Sequence, residues 1–201
     1  MATNHVQVRR AEPAEAAALT DTMSAAFMAD PVANWCFPDP AERPRLHPAF
    51  FGAFVDLILA TGRAYTTDGY RGVALWLDID VEAPADDDPE LAAKLEGGLD
   101  AESLKRFAIL DDLMTGNHPF DRDHAYLAFL AVHPDHQGTG IGTAMLRHRY
   151  TELDPAGRHA YLEASSDRNA RLYERLGFRH VRTPLLLPDG PPLYPMWRDA
   201  A

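Results

Sequence analysis

Apolar residues recur along the chain with two periods, and the switches between them outline the elements. Val6 to Arg10 alternates apolar and polar, which predicts a first strand. Pro13 then opens a helix whose buried stripe is Leu19, Met23 and Phe27, and Asp30-Pro31 stops it. A second helix begins between Pro44 and Pro48 and runs to Ala60. It is apolar on two faces, one of Phe50, Phe54 and Leu57 and another of Phe51, Val55 and Leu59. Such a helix lies in the core or at an oligomer contact. Gly62 ends it, and Arg63 to Thr67 and Gly72 to Leu77 form a hairpin around Asp68-Gly69. An acidic loop over 78–90 leads to helices at about 89–97 and 101–114, the latter carrying Leu104, Phe107, Leu110 and Met114.

The second half is strand-rich. His124 to Val132 is nearly all apolar, as expected of a strand covered on both faces. A glycine-rich turn, 138–142, opens a helix to about Leu153. A strand follows from His159 to Ala164, then a short helix from Asn169 to Leu176 closed by Gly177. Phe178 to Leu187 and Leu193 to Arg198 are the last two strands. This order predicts an α/β (α+β) mixed sheet flanked by helices.

With 201 residues, 46% of them apolar and 24% charged, the chain is expected to form one soluble globular domain. Its formal charge of −11 argues against nucleic acid or an anionic membrane as the main partner, and suits a cationic substrate such as an amine. The single cysteine, Cys36, excludes an internal disulfide and a multi-cysteine zinc site. There is no run of 18 apolar residues, and Met1 to Val8 shows no secretory leader, so the expected location is the cytoplasm. The basic residues are nearly all Arg, a bias typical of GC-rich bacterial genomes.

The stretch Leu130-Ala131-Val132-His133-Pro134-Asp135-His136-Gln137-Gly138-Thr139-Gly140-Ile141-Gly142-Thr143 carries the chemistry. Alternate glycines between a buried strand and a helix free successive N–H groups to converge, a nest suited to pyrophosphate. There is no Gly-Lys-Ser/Thr, as a Walker loop needs, and Thr143 breaks the Gly-x-Gly-x-x-Gly spacing of a dinucleotide loop. Gln137-x-x-Gly140-x-Gly142 instead resembles the coenzyme A loop of the GNAT family of N-acetyltransferases. Asn169 and Tyr173, four apart on one helix face and followed by Gly177-Phe178, resemble the same family's pantetheine segment. His118, Tyr126-Leu127, Leu162-Glu163, Tyr173 to Phe178 and Met196-Trp197-Arg198 together resemble its puromycin N-acetyltransferase branch. The specific match begins near His118. Before it only the layout agrees, in Ala25-Ala26-Phe27, Asp30-Pro31 and the 63–77 hairpin with Trp76.

The resemblance implies a GNAT fold, a mostly antiparallel sheet whose central parallel pair splays apart. It implies a single domain over 1–201, with 1–117 shaping an acceptor pocket and 118–201 binding acetyl-CoA. The reaction implied is direct acetyl transfer to an amine, with a small molecule as acceptor, no metal, and a monomer or homodimer. Backbone groups of Leu130, Ala131 and Val132 would hold pantetheine with Asn169. Gln137, Gly138, Thr139, Gly140, Ile141, Gly142 and Thr143 would hold the pyrophosphate, and Tyr173 would protonate the departing thiolate. Many relatives place a glutamate on the strand before the loop, but Tyr126 to Leu130 contains no acid. Glu163 and His118 are therefore the candidate bases, with Asp111 and Asp112 as attractors of a cationic amine and a water chain as the alternative. A non-catalytic acyl-CoA sensor and a protein-modifying acetyltransferase are the competing functions. His133 and His136 lack a third metal ligand, the acidic loop lacks calcium-loop spacing, and Cys36 is expected to be a buried apolar residue. Trp76 and Trp197 are core or pocket wall.

Overall fold

A computed structural model describes residues 6–82 and 88–201; Asp86 and Asp87 of the acidic loop lie outside the described residues. Strand β1 (Val8–Arg10) leads through a short 3₁₀ turn to α1 (Ala16–Phe27), α2 (Pro31–Cys36) and α3 (Arg43–Thr61). The hairpin β2 (Arg63–Thr67) and β3 (Gly72–Ile79) follows, then α4 (Pro89–Gly98) and α5 (Ala101–Thr115). The second half runs β4 (His124–Val132), α6 (Ile141–Leu153), β5 (His159–Ala164), α7 (Asp167–Glu174), β6 (Arg179–His180), β7 (Leu185–Leu186) and β8 (Pro192–Arg198). One mixed sheet forms in the order β1-β2-β3-β4-β5-β8-β6, with β7 on β8. All described pairings are antiparallel except β4 with β5.

Alternation along β3 divides the core. Val73 and Leu75 join Leu19, Met23, Val55 and Ile58 under α1 and α3. Ala74 and Trp76 join Met145 and Leu146 of α6 on the opposite face. Trp76 and Trp197 are both buried in the core. The doubly apolar α3 has a further explanation: Val55 and Ile58 are core, whereas Phe54 and Leu57 face a cavity that the buried Phe50 and Phe51 also line.

Two elements differ from the sequence expectation. Asp30-Pro31 ends α1 and also starts α2: the Asp30 carboxylate accepts from the N–H of Val32 and Ala33 at 2.9 and 3.0 Å, and Pro31 takes the first turn. The single strand expected over 178–187 is two short ones, β6 and β7: the chain leaves the ladder after Val181 and returns to β8 at Leu185, just past Pro184, which has no N–H to donate. Asp88, expected in an acidic loop, caps α4 through the N–H of Glu90 and Leu91.

Candidate functional site

The sheet opens at its centre. β4 and β5 pair only at His124–His159, Ala125–Ala160 and Tyr126–Tyr161. Beyond them the strands part. On the other side of β4 the register to β3 shifts, Leu75 facing Phe129 but Trp76 facing Leu127, which leaves Ala128 as the extra residue of a bulge. The bulge turns both Ala128 and Phe129 towards α1 and α3. Past it, His133 N–H donates to the Arg71 carbonyl. Alternation then sends the backbone groups of Phe129 and Ala131 to β3 and those of Leu130 and Val132 into the opening. The Val132 carbonyl is partnered there by Gln137 Nε2 at 3.2 Å, so Leu130 offers the freer groups. Ala131, grouped with Leu130 and Val132 in the sequence reading, has its backbone turned the other way.

At the end of this edge lies the glycine loop. Gly138 and Gly140 have φ of 76° and 88°, which an L side chain adopts only under strain. No heavy atom lies within 4 Å of where a Cβ would sit on either, so the loop is an open cradle. Gly140 caps α6, and the N–H groups of Ile141, Gly142 and Thr143 have no helical acceptor. Thr139 Oγ1 instead donates to the His136 carbonyl at 2.6 Å. Gly142 departs from the alternate-glycine argument: it lies within α6, where a Cβ would meet Leu130, Leu172 and Val132 side chains at ordinary distances of 3.7–3.8 Å.

Helix α7 forms the other lip. Ser166 caps it, so it starts two residues before the sequence pattern indicates. Asn169 Nδ2 donates to Ser165 Oγ at 3.1 Å, and Ser165 Oγ donates to Asp30 Oδ2 at 2.5 Å. This chain of bonds ties the start of α2 to the parted end of β5. Tyr173 is buried, lines the same cavity, and burial raises its phenol above the usual tyrosine range. Among the described residues, its hydroxyl has no hydrogen-bond partner.

The cavity between the lips has a volume of about 330 Å³. Its wall is phenylalanine from four elements: Phe27 of α1, Phe50, Phe51 and Phe54 of α3, Phe107 of α5 and Phe129 of β4. The rings pack on one another, Phe50 on Phe107 at 5.1 Å and Phe54 on Phe129 at 5.2 Å between centroids. Cys36 also lines it; burial and Asp30 push its thiol up to about 12, which leaves it protonated and unreactive.

Set in this apolar space is Glu163. Its neighbours Leu162 and Ala164 face the α6 side, so alternation aims it at the cavity. The side chain is 1% exposed, and neither carboxylate oxygen has a hydrogen-bond partner. Burial pushes its carboxyl up to about 7, against the weaker downward pull of the nearby Tyr161 and Tyr126 hydroxyls. Asp111 and Asp112 are both exposed on α5, and of the two Asp111 lines the cavity. His118 does not line it. His118 stands behind Glu163, with Nδ1 4.0 Å from Glu163 Oε1, and its Nε2 meets His124 Nε2 at 3.0 Å. Burial and His124 push the His118 imidazole down to about 4. The geometry thus separates the two candidate bases: Glu163 reaches the cavity and His118 reaches Glu163.

The sequence reading missed the phenylalanine wall and His124. The wall was legible as the second apolar face of α3 but needed the fold to bring Phe27, Phe107 and Phe129 to it. Among the described residues no group of three or more His, Cys, Asp or Glu is placed to hold a metal, and no helix is long and apolar enough to cross a membrane.

Known proteins share this chain's fold and part of its sequence. Residues 107–180 match the Acetyltransferase (GNAT) domain family. A mycothiol acetyltransferase of Nocardiopsis dassonvillei is 29% identical over 149 residues, which is 70% of this chain but 44% of that protein. The chain thus matches less than half the length of that relative. Among solved structures, a histone acetyltransferase HPA2 and related acetyltransferase from Corynebacterium glutamicum superposes with a TM-score of 0.71 at 27% identity, covering 98% of this chain and 97% of that one. Arylalkylamine N-acetyltransferase 2 from Aedes aegypti has the same fold, with a TM-score of 0.69 at 15% identity over 98% of this chain and all of that one.

Proposed function

We propose that this chain, which carries a GNAT acetyltransferase domain, transfers an acetyl group from acetyl-CoA to a small-molecule amine with an apolar or aromatic body. The observation that carries the reading is a buried carboxylate in a cavity that Leu130, on the opened edge of β4, also lines, with the glycine cradle at the far end of that edge. The puromycin-branch resemblance favours the same acceptor chemistry. Acetyl-CoA supplies the activated acyl group and a thiolate leaving group.

The chain's own residues do the rest. The N–H groups of Gly138 to Thr143 suit the pyrophosphate, and Leu130 with Asn169 suits the pantetheine amides. A backbone N–H on the open edge of β4 polarises the reacting carbonyl as negative charge builds on it. Glu163, with a carboxyl near 7, takes the proton that the amine nitrogen must lose. Tyr173 holds the proton that goes to the departing sulfur. The phenylalanine wall orients the acceptor by apolar contact, and Asp111, which also lines the cavity, can attract a cationic amine.

The test is thermal unfolding with acetyl-CoA, NAD or ATP, followed by thiol release with 2-phenylethylamine. Acetyl-CoA at 100 times its Kd stabilises by about 2.7 kcal/mol, and the amine then releases thiol. Equal shifts with all three nucleotides, or acetyl-CoA binding with no thiol release, refute the reading.

A further inference from the structure

Behind Glu163 two buried histidines form a chain whose proton positions follow from one contact. His124 is fully buried at the start of β4, under Trp197 and Tyr161. Its Nδ1 lies 2.7 Å from the carbonyl oxygen of Arg122. A carbonyl only accepts, so His124 carries its proton on Nδ1. Burial lowers the pKa of both rings and keeps them neutral, which leaves His124 Nε2 as a bare acceptor. His118 Nε2, at 3.0 Å, must therefore donate to it, and His118 Nδ1 is bare. That lone pair faces Glu163 Oε1 at 4.0 Å.

We infer that His124 is a positioning residue: it locks His118 as the Nε2–H tautomer, so that a bare Nδ1 rather than an N–H stands opposite Glu163 Oε1. The inference rests on Glu163 as the base. A lone pair opposite a carboxylate disfavours the anion. The other tautomer would donate to the carboxylate and make it a weaker base. Oε2 is left to meet the amine. The other groups that act on this corner are Tyr126 on β4, Tyr161 on β5 and Arg182 after β6, with Asp111 of α5 acting on Tyr126. Arg122, Asp123 and Arg158 act on His124.

The test compares His124→Phe with His124→Gln in the pH profile of kcat/KM for thiol release with 2-phenylethylamine. Phenylalanine removes the acceptor, frees His118 to protonate Nδ1, and should move the acidic limb down by about one pH unit. Glutamine donates to the Arg122 carbonyl and accepts from His118, so it should keep the limb in place. An unmoved limb in His124→Phe overturns the inference. A second readout does not need the variants: ¹⁵N spectra of the wild type should show Nδ1–H for His124 and Nε2–H for His118, and the reverse for His118 also overturns it. If Glu163→Gln keeps the limb, the base reading fails instead, and the ¹⁵N tautomers alone decide the role of His124.

Discussion

An unpaired carboxylate buried among aromatic rings should burden the fold, and replacing it should stabilise the protein while disabling it. In the folded chain Glu163 is pushed from 4.5 up to about 7 by burial. At 1.36 kcal/mol per pH unit that displacement is worth about 3 kcal/mol. The sign follows from proton binding. Below pH 4.5 folded and unfolded chains both hold the proton, and the group is neutral in its effect. Between 4.5 and about 7 the folded state keeps a proton that the unfolded state releases, so this group lowers stability as pH rises. Above about 7 the full penalty is present. His118 has the opposite slope: its folded pKa falls from 6.5 to about 4, so its contribution is present above 6.5 and is lost as pH falls through 4. The two nearly cancel in the wild-type curve. The difference between Glu163→Gln and wild type isolates Glu163. Urea unfolding should show that difference near zero at pH 4 and about 3 kcal/mol in favour of the variant at pH 8, about 6–12 °C in Tm. A pH-independent difference would refute the reasoning, because a glutamate paired in the native state gives no such rise.

Tyr173→Phe should lower kcat by about 100-fold and leave the KM for acetyl-CoA near the wild-type value, read by thiol release. Gly140→Ala puts a side chain at a φ of 88° and should cost about 1–2 kcal/mol of stability while raising the KM for acetyl-CoA more than it lowers kcat. Asp30→Ala removes the cap of α2 and the acceptor of Ser165, and should destabilise by about 1–2 kcal/mol in urea unfolding.

Local rules account for what was legible in the sequence. The glycine cradle, the helix face shared by Asn169 and Tyr173 and the order of strands all rest on spacings within a few residues. Glu163 was a candidate because it ends a strand next to the loop-bearing one. What raises its proton affinity, an apolar wall drawn from α1, α3, α5 and β4, is a product of packing and has no sequence period. The same holds for His118, which stands behind Glu163 because the turn after α5 folds against β4. That β4 and β5 splay apart was expected from family resemblance, but no pattern in the strand itself marks Tyr126 as the last pair or Ala128 as the bulge. Helix α2 was legible in principle: Asp30-Pro31 has the residue types of a cap and first turn, but the same pair also reads as a stop.

The central claim is acetyl transfer from a bound thioester to an amine held against Glu163. Its most direct measurement is mass spectrometry of the acceptor beside thiol release, with 2-phenylethylamine and acetyl-CoA at pH 8, for wild type and Glu163→Gln. The account predicts one N-acetylated amine for each thiol released by the wild type, and a rate at least about 100-fold lower in the variant. Thiol release without acetylated amine, or equal rates in both proteins, would contradict it.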